Sequence, residues 1–202
     1  MKRGHIYTFV FMVVITAVLV FALALAYEAF KPAISTNKQL QEQRAVLYAL
    51  GLDDSLTDDE VRDRYQEAVQ PGEVNGISEA YGHPVLAHVV EGEALAYAIP
   101  FEGSGLWGSL RGYLGITADL TETRGLVFTY QNETPGLGGR VDETWFKEQF
   151  RGLPVSEGTE LAYGSHPDYK IDAVTGATQT SSAVMRTVNK ALKEIVFPGE
   201  VK

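Results

Sequence analysis

The longest hydrophobic pattern in the chain is an apolar run near the N-terminus. Residues 6–27, IYTFVFMVVITAVLVFALALAY, contain no charged side chain. As an α-helix this run spans roughly 30 Å, the thickness of the hydrocarbon core of a bilayer, and a tyrosine near each end suits the membrane interface. The pattern predicts a transmembrane anchor. A cleaved signal peptide is the alternative, because Ala22-Leu23-Ala24 resembles a cleavage site, although the run is longer than usual for such a peptide.

Two amphipathic helical patterns follow the apolar run. Residues 28–50 have helical spacing that ends at Gly51, with an apolar face made of Leu40, Ala45, Val46, Leu47 and Leu50. A short helix is predicted over DDEVRDRYQEAV, with capping side chains in residues 55–58 and a stop at Pro71-Gly72. We interpret both helices as a lead-in. The predicted organisation is therefore an anchor at 1–30, a helical lead-in at 31–77 and a folded domain at 78–202.

From residue 78 onwards, short β-rich runs are separated by turn residues. The strand patterns are PVLAHVV, ALAYAI, GYLGITADL and GLVFTYQ, with ELAYG and DYKIDAV as further candidates. VDETWFKEQFRG reads as a helix whose inner side holds Val141, Trp145, Phe146 and Phe150. Residues 180–196 form a second helical pattern, whose inward side chains are Val184, Val188, Ala191, Leu192 and Ile195. Strands and helices do not alternate strictly, which predicts an α+β domain with a mainly antiparallel sheet.

Charge and composition exclude several classes of function. The 202 residues carry a net charge of −9, and without Lys2 and Arg3, the only charged residues among the first 27, the remainder stands at −11. An acidic domain repels phosphate backbones, so we expect no nucleic-acid partner. The absence of cysteine rules out thiolate metal sites, and the four histidines lack ligand spacing, so we predict no metal. Lys2 and Arg3 favour a cytoplasmic N-terminus, with the acidic domain outside the cytoplasm.

Hydroxyl side chains crowd the predicted start of the last helix. The candidate residues in DAVTGATQTSS are Asp172, Thr175, Gly176, Ala177, Thr178, Thr180 and Ser181. Unpaired N–H groups and the positive end of the helix dipole suit a phosphate there, and a threonine hydroxyl at that place can be esterified by it. The structural alternative is that Thr178, Thr180 or Ser181 caps the helix.

Two glycine-rich segments are further candidates for ligand binding. One comprises Glu133, Thr134, Pro135, Gly136, Leu137 and Gly138, and the other holds Leu106 and Trp107 within GSGLWG. Glycines permit close approach of the backbone to a flat ligand, and the Leu-Trp pair offers an aromatic wall. The alternatives are a tight connection between elements for the first segment and a buried tryptophan that anchors a turn for the second.

Taken together, TGATQTS, ETPGLGG and GSGLWG behind a membrane helix resemble the FMN-binding domain family over roughly residues 85–197. This family includes the C subunit of the Na⁺-translocating NADH:quinone reductase and the G subunit of the Rnf complex. The turn at Leu106-Trp107 is more similar to the former, and the Rnf protein is the alternative. The resemblance implies FMN attached covalently by a phosphoester to Thr178. It also implies recognition of Asp172 by a flavin transferase that uses FAD, and a position beside the flavin for the loop that begins at Glu133.

The function implied by the resemblance is electron transfer within a membrane complex. The chain would be anchored in the lipid bilayer of the cell inner membrane, with its soluble domain in the periplasm and other membrane subunits as partners in sodium transport. No catalytic side chain is predicted, because the flavin carries the redox chemistry. No G-x-G-x-x-G opens a helix after a strand, so NADH oxidation is assigned to another subunit. A non-redox module of the same fold and a small-molecule sensor are the alternatives, and contact of Trp107 or Trp145 with the flavin stays open.

Overall fold

The computed structural model describes residues 2–52 and 56–199. Two compact units are distinguished, residues 1–40 and 41–202. The first is helical and belongs to α1 (Lys2–Ala49), whose side chains at positions 4–39 are all exposed. By length and composition, α1 is the one helix of the described chain that is able to cross a membrane, and the predicted helix over 28–50 is its continuation. The predicted division into anchor, lead-in and domain stays a prediction.

The second unit contains an antiparallel sheet of five strands in the order β1-β4-β5-β6-β7, and two small strand pairs, β2-β3 and β8-β9. After the end of α1, its elements are α2 (Asp58–Ala68), β1 (Val69–Pro71), β2 (Glu79–Ala80), β3 (His83–Pro84), β4 (Leu86–Val90), β5 (Glu93–Ser104), β6 (Ser109–Thr117), β7 (Thr123–Tyr130), a 3₁₀ turn (Gly138–Asp142), α3 (Thr144–Lys147), a 3₁₀ turn (Glu148–Phe150), β8 (Gly164–Ser165), β9 (Lys170–Ile171), α4 (Thr178–Ala191) and a π-helical turn (Leu192–Val196). This arrangement confirms the predicted α+β fold.

Both faces of the central sheet are covered. Alternate residues of each strand point to opposite faces, so Ile99 on β5 and Leu114 on β6 enter one core together with Val188 of α4. All five apolar residues predicted to face inward from this last helix are buried. On the other face, the hydroxyl of Tyr113 donates to the Glu42 carboxylate of α1 at 3.3 Å. The apolar side of the last helix therefore packs into the core, as its sequence pattern predicts.

The continuous helix predicted over residues 141–152 is wrong. The backbone of Glu143 is extended (φ −68°, ψ 145°), so the segment breaks into a 3₁₀ turn, the four-residue α3 and a second 3₁₀ turn. Val141, Phe146 and Phe150 are nevertheless fully buried, whereas Trp145 is 40% exposed. Short helical pieces satisfy the apolar spacing as well as one long helix does.

The two candidate strands after this segment shrink to the two-residue pair β8 and β9. Side chains take up the backbone groups that a longer strand ladder would use. The Asn189 amide donates to the Leu161 carbonyl (2.8 Å) and accepts from its N–H (2.9 Å), and Gln149 makes the same pair of bonds with Asp172.

In the predicted short helix α2, Thr57 donates its hydroxyl and N–H to Glu60, while the predicted cap Ser55 lies outside the described residues.

Candidate functional site

A cavity of about 270 Å³ opens where the three candidate segments meet. These are the loop between β5 and β6, the loop after β7, and the start of α4 with the turn before it. The residues that line the cavity are Leu106, Trp107, Glu133, Thr134, Leu137, Gly138, Gly176, Ala177, Thr178, Gln179 and Thr180. Segments that are distant along the chain therefore form one site.

The sheet explains why the first two segments are neighbours. Strands β5 and β6 form a hairpin whose last pair is Ser104 with Ser109. Strand β7 ends at Tyr130, which pairs with Arg111 beside that hairpin end. The chain therefore leaves β5 and β7 at the same end of the sheet. The N–H of Gly105 then donates to the Gly108 carbonyl at 2.7 Å, which closes the turn between β5 and β6.

Three apolar side chains of the cavity wall are open to solvent. Leu106 is 48% exposed, Trp107 67% and Leu137 50%. The interpretation of Trp107 as a buried anchor of its turn is therefore wrong. Large apolar side chains that stand exposed in one place are typical of a surface that binds a ligand or a partner. Trp145 does not line the cavity, and its ring packs against the Arg140 guanidinium at 5.5 Å.

The carboxylate of Glu133 joins the three segments. Its side chain is only 6% exposed. Oε1 accepts the backbone N–H groups of Leu106 (2.8 Å) and Trp107 (3.0 Å), and Oε2 accepts the hydroxyl of Thr180 (2.6 Å). Hydrogen bonds to a charged acceptor are roughly twice as strong as those between neutral groups. This one side chain therefore sets the position of the turn after β5 relative to the start of α4.

Glycine is required where two of the loops approach this carboxylate. A Cβ atom at Gly105 would overlap Glu133 Oε1. A Cβ atom at Gly138 would lie 2.6 Å from Thr180 Oγ1 and 2.8 Å from Glu133 Oε2. Both positions are taken up by the hydrogen-bonded groups themselves, so any larger side chain would displace them. At these two positions the predicted close approach of the backbone serves the protein's own carboxylate.

Thr178 is the first residue of α4, and its side chain is exposed. The interpretation of the nearby hydroxyls as helix caps is wrong, because the N-cap residue is Ala177 and no side chain caps the helix. Thr180 donates to Glu133 instead, and Ser181 Oγ accepts the N–H of Val174 at 3.1 Å. Among the described residues no hydrogen bond engages the Thr178 hydroxyl. The first turn of such a helix also offers N–H groups without intrahelical partners.

The segment before Thr178 is held by a side chain that the sequence does not single out. Gln149 accepts the N–H of Asp172 at 2.7 Å and donates to its carbonyl at 3.2 Å. The Asp172 carboxylate points to solvent, where Lys170 pairs with it at 2.8 Å. Gly176 has φ +81°, a conformation that glycine adopts readily and that lets the chain turn into α4. Asp172 is thus presented on a fixed backbone just before the cavity.

The remaining predicted site residues lie around the cavity and do not line it. Thr175, Pro135 and Gly136 are exposed, and Ser181 is buried beneath the start of α4. The Ser181 carbonyl accepts the hydroxyl of Tyr163 at 2.8 Å. Burial raises the pKa of the Tyr163 phenol, which keeps it a neutral donor. Neither Tyr163 nor Gln149 has a local sequence signature, since each acts on a segment far along the chain.

The comparison with protein families identifies the region that contains this cavity. The model of the FMN-binding domain matches residues 105–193, which include all three segments of the site. This match confirms the resemblance that the motifs indicate.

Individual relatives carry related names. The chain is 32% identical over 111 residues to the C subunit of the Na(+)-translocating NADH-quinone reductase of Neisseria meningitidis serogroup A, an alignment that covers 52% of this chain and 43% of the relative. It is 24% identical over 206 residues to the protein of the same name from Pseudomonas aeruginosa, covering 77% and 79%. The chain thus spans less than half the length of the first of the curated relatives that it matches.

Two solved structures share the fold. The C subunit of the Na(+)-translocating NADH-quinone reductase from Parabacteroides distasonis superposes with a TM-score of 0.65 at 24% identity, covering 80% of this chain and 92% of that one. The Shewanella oneidensis protein described as NqrC superposes with a TM-score of 0.61 at 22% identity, covering 73% and 88%. These similarities confirm the α+β architecture with its antiparallel sheet.

Proposed function

We propose that this chain is a membrane-anchored electron-transfer subunit that carries one FMN, bound as a phosphoester on Thr178, in a complex of the Na⁺-translocating NADH-quinone reductase type. One observation carries the proposal. The hydroxyl of Thr178 lies exposed on the wall of a cavity shared by three segments, within a region that matches the FMN-binding domain. The names of the relatives support the assignment to such a complex.

The residues of the cavity fit this cofactor. The start of α4 has no side-chain cap, so its first N–H groups and its dipole are available to a phosphate. The exposed side chains of Leu106, Trp107 and Leu137 offer apolar surface to a planar ring system. Glu133 and Thr180 satisfy each other's polar groups, so they hold the walls in place without needing a ligand.

Attachment uses a hydroxyl that makes no hydrogen bond within the described part of the chain. In the proposed step, Thr178 Oγ1 attacks the FMN phosphorus of FAD on a flavin transferase, the bond to the AMP phosphate breaks, AMP leaves, and the hydroxyl proton is lost. Asp172 contributes to recognition by the transferase, since its carboxylate is exposed on a backbone held by Gln149. The bound flavin supplies the electron-transfer chemistry, and the protein holds it in position.

The N-terminal helix supports membrane attachment. Its exposed apolar side chains have the length and composition of a span, and lipid is the solvent that suits them. We place the folded domain outside the cytoplasm, because Lys2 and Arg3 precede the span. Electron donor and acceptor are assigned to other membrane subunits of the same complex, and sodium transport to the complex as a whole.

The test is the intact mass of the protein purified from washed native membranes. Wild type is expected to be heavier than its polypeptide by FMN less one water. Thr178→Ala should show the polypeptide mass alone, whereas Thr178→Ser, which keeps the hydroxyl, should again carry the added mass. A wild-type protein without added mass, in a host whose flavin transferase is active, would refute the covalent attachment. An unchanged added mass in Thr178→Ala would place the flavin on another residue.

A further inference from the structure

The negative charge of Glu133 is confined to the cavity wall. The side chain is 6% exposed, and its three hydrogen-bond donors are two backbone N–H groups and one hydroxyl, all of them neutral. Within the described part of the chain, no lysine, arginine or histidine forms an ion pair with it. The carboxylate is therefore stabilised by dipoles, which leave its net charge in place.

Among the residues that the structure describes, no cation in the cavity wall offsets this charge. Of the described residues that line the cavity, Glu133 is the only one with an ionisable carboxyl, amine, guanidine or imidazole group. The low exposure of the carboxylate also limits screening by water and salt. A ligand in the cavity consequently experiences one uncompensated negative charge at short range.

We propose that Glu133 is a positioning residue that also lowers the reduction potential of the flavin held in this cavity. Reduction adds negative charge to the ring system, and a fixed carboxylate nearby disfavours that gain. The same side chain cannot be replaced by a cation without losing the hydrogen bonds that assemble the site. This inference rests on the proposed function, because it needs the flavin to be bound there.

Glu133→Gln separates charge from hydrogen bonding. Its carboxamide oxygen accepts the N–H groups of Leu106 and Trp107 as Oε1 does, and its NH₂ group donates to the Thr180 hydroxyl, which then acts as acceptor. Glu93→Gln is the matched control. It makes the same charge change at the first residue of the 12-residue strand β5, about 36 Å along the strand from Ser104 at 3.3 Å per residue.

The measurement is the midpoint potential of the full-length, flavin-loaded protein in detergent, read from its visible spectrum during a redox titration. In Glu133→Gln we expect the ratio of reduced to oxidised flavin at a fixed potential to rise about tenfold, which is about 30 mV for a two-electron couple. Glu93→Gln should match wild type. Equal potentials for Glu133→Gln and wild type would overturn the inference, and so would a Glu133→Gln protein that folds but loads no flavin.

Thr180→Val distinguishes charge from disturbed packing. This variant removes the hydroxyl donor and leaves the carboxylate charge, so its potential should equal that of wild type or lie below it. A rise as large as that of Glu133→Gln would show that loosened packing raises the potential, and would overturn the inference. Failure of the proposed function is recognised separately, because wild type itself would then lack the added mass of FMN.

Discussion

Replacing Gly138 with alanine puts a methyl group into the hydrogen bond that joins Glu133 to Thr180. The new Cβ would lie 2.6 Å from Thr180 Oγ1 and 2.8 Å from Glu133 Oε2, whereas ordinary contacts begin at 3.4 Å. One or both side chains must therefore move by about 0.6–0.8 Å. Such overpacking typically costs about 1–3 kcal/mol, and loss of a hydrogen bond to a charged group costs about 1.5–3 kcal/mol.

These two costs share one displacement, so we expect a total loss of about 3 kcal/mol in the free energy of unfolding rather than their sum. For a folded unit of this size, that corresponds to a fall of about 6–12 °C in Tm. The fraction of protein that carries flavin should fall as well, because the start of α4 is no longer held against the cavity wall. Tm is measured by circular dichroism on the full chain in detergent, and loading by intact mass.

Gly139→Ala is the control, because it makes the same change one residue away. Its Cβ would meet the Thr134 carbonyl oxygen at 3.3 Å and the Glu133 carbonyl oxygen at 3.5 Å, so the loss should stay below about 1 kcal/mol. Adding Thr180→Ala to Gly138→Ala removes the nearest clashing atom and should make the Gly138 substitution less costly than in wild type. Equal losses for Gly138→Ala and Gly139→Ala, with normal flavin loading in both, would refute the reasoning.

Two further predictions concern the loop before α4 and the sheet. Gln149→Leu removes both hydrogen bonds to the Asp172 backbone, so the rate of flavin transfer, measured by intact mass over time, should fall several-fold at a stability cost of about 1 kcal/mol. The control Gln70→Leu changes an exposed glutamine and should accept flavin at the wild-type rate. Equal rates for the two variants would contradict the role of Gln149. Burial raises the pKa of Tyr113 above its ordinary 10.0, so the folded chain keeps a proton that the unfolded chain loses. Above pH 10 Tyr113 should therefore contribute a fall of up to about 1.4 kcal/mol per pH unit to the free energy of unfolding, measured in urea. Tyr113→Phe should make the overall slope shallower by that contribution, and an unchanged slope would contradict this assignment.

Local sequence patterns predict the longer regular elements. The uncharged run at residues 6–27 predicts a long apolar helix, and β-rich runs between turn residues locate the strands from Leu86 to Tyr130. The spacing of apolar residues also identifies the buried side of α4. These features depend on residues that are close along the chain, so a short window of sequence is enough to recognise them.

The irregular region between β7 and α4 was predicted less well. Its backbone groups are satisfied by side chains such as Gln149 and Asn189, and these bonds depend on which segments the fold brings together. The extended backbone at Glu143, which interrupts the predicted helix, gives no apolar signal of its own. A pattern of hydrophobic positions therefore overestimates regular structure wherever distant polar side chains replace a ladder.

The candidate functional site also combines features that local sequence shows with features that depend on the fold. The chemical groups follow from the sequence alone: an acceptor hydroxyl at Thr178, a glycine turn before it, and two glycine-rich loops. The folded chain is needed to see that Glu133 and Thr180, 47 residues apart, share a hydrogen bond in a buried wall, and that Trp107 is exposed beside it. The reason is that residue types are set by local sequence, whereas the distances between them are set by strand register and by the packing of α4 on the sheet.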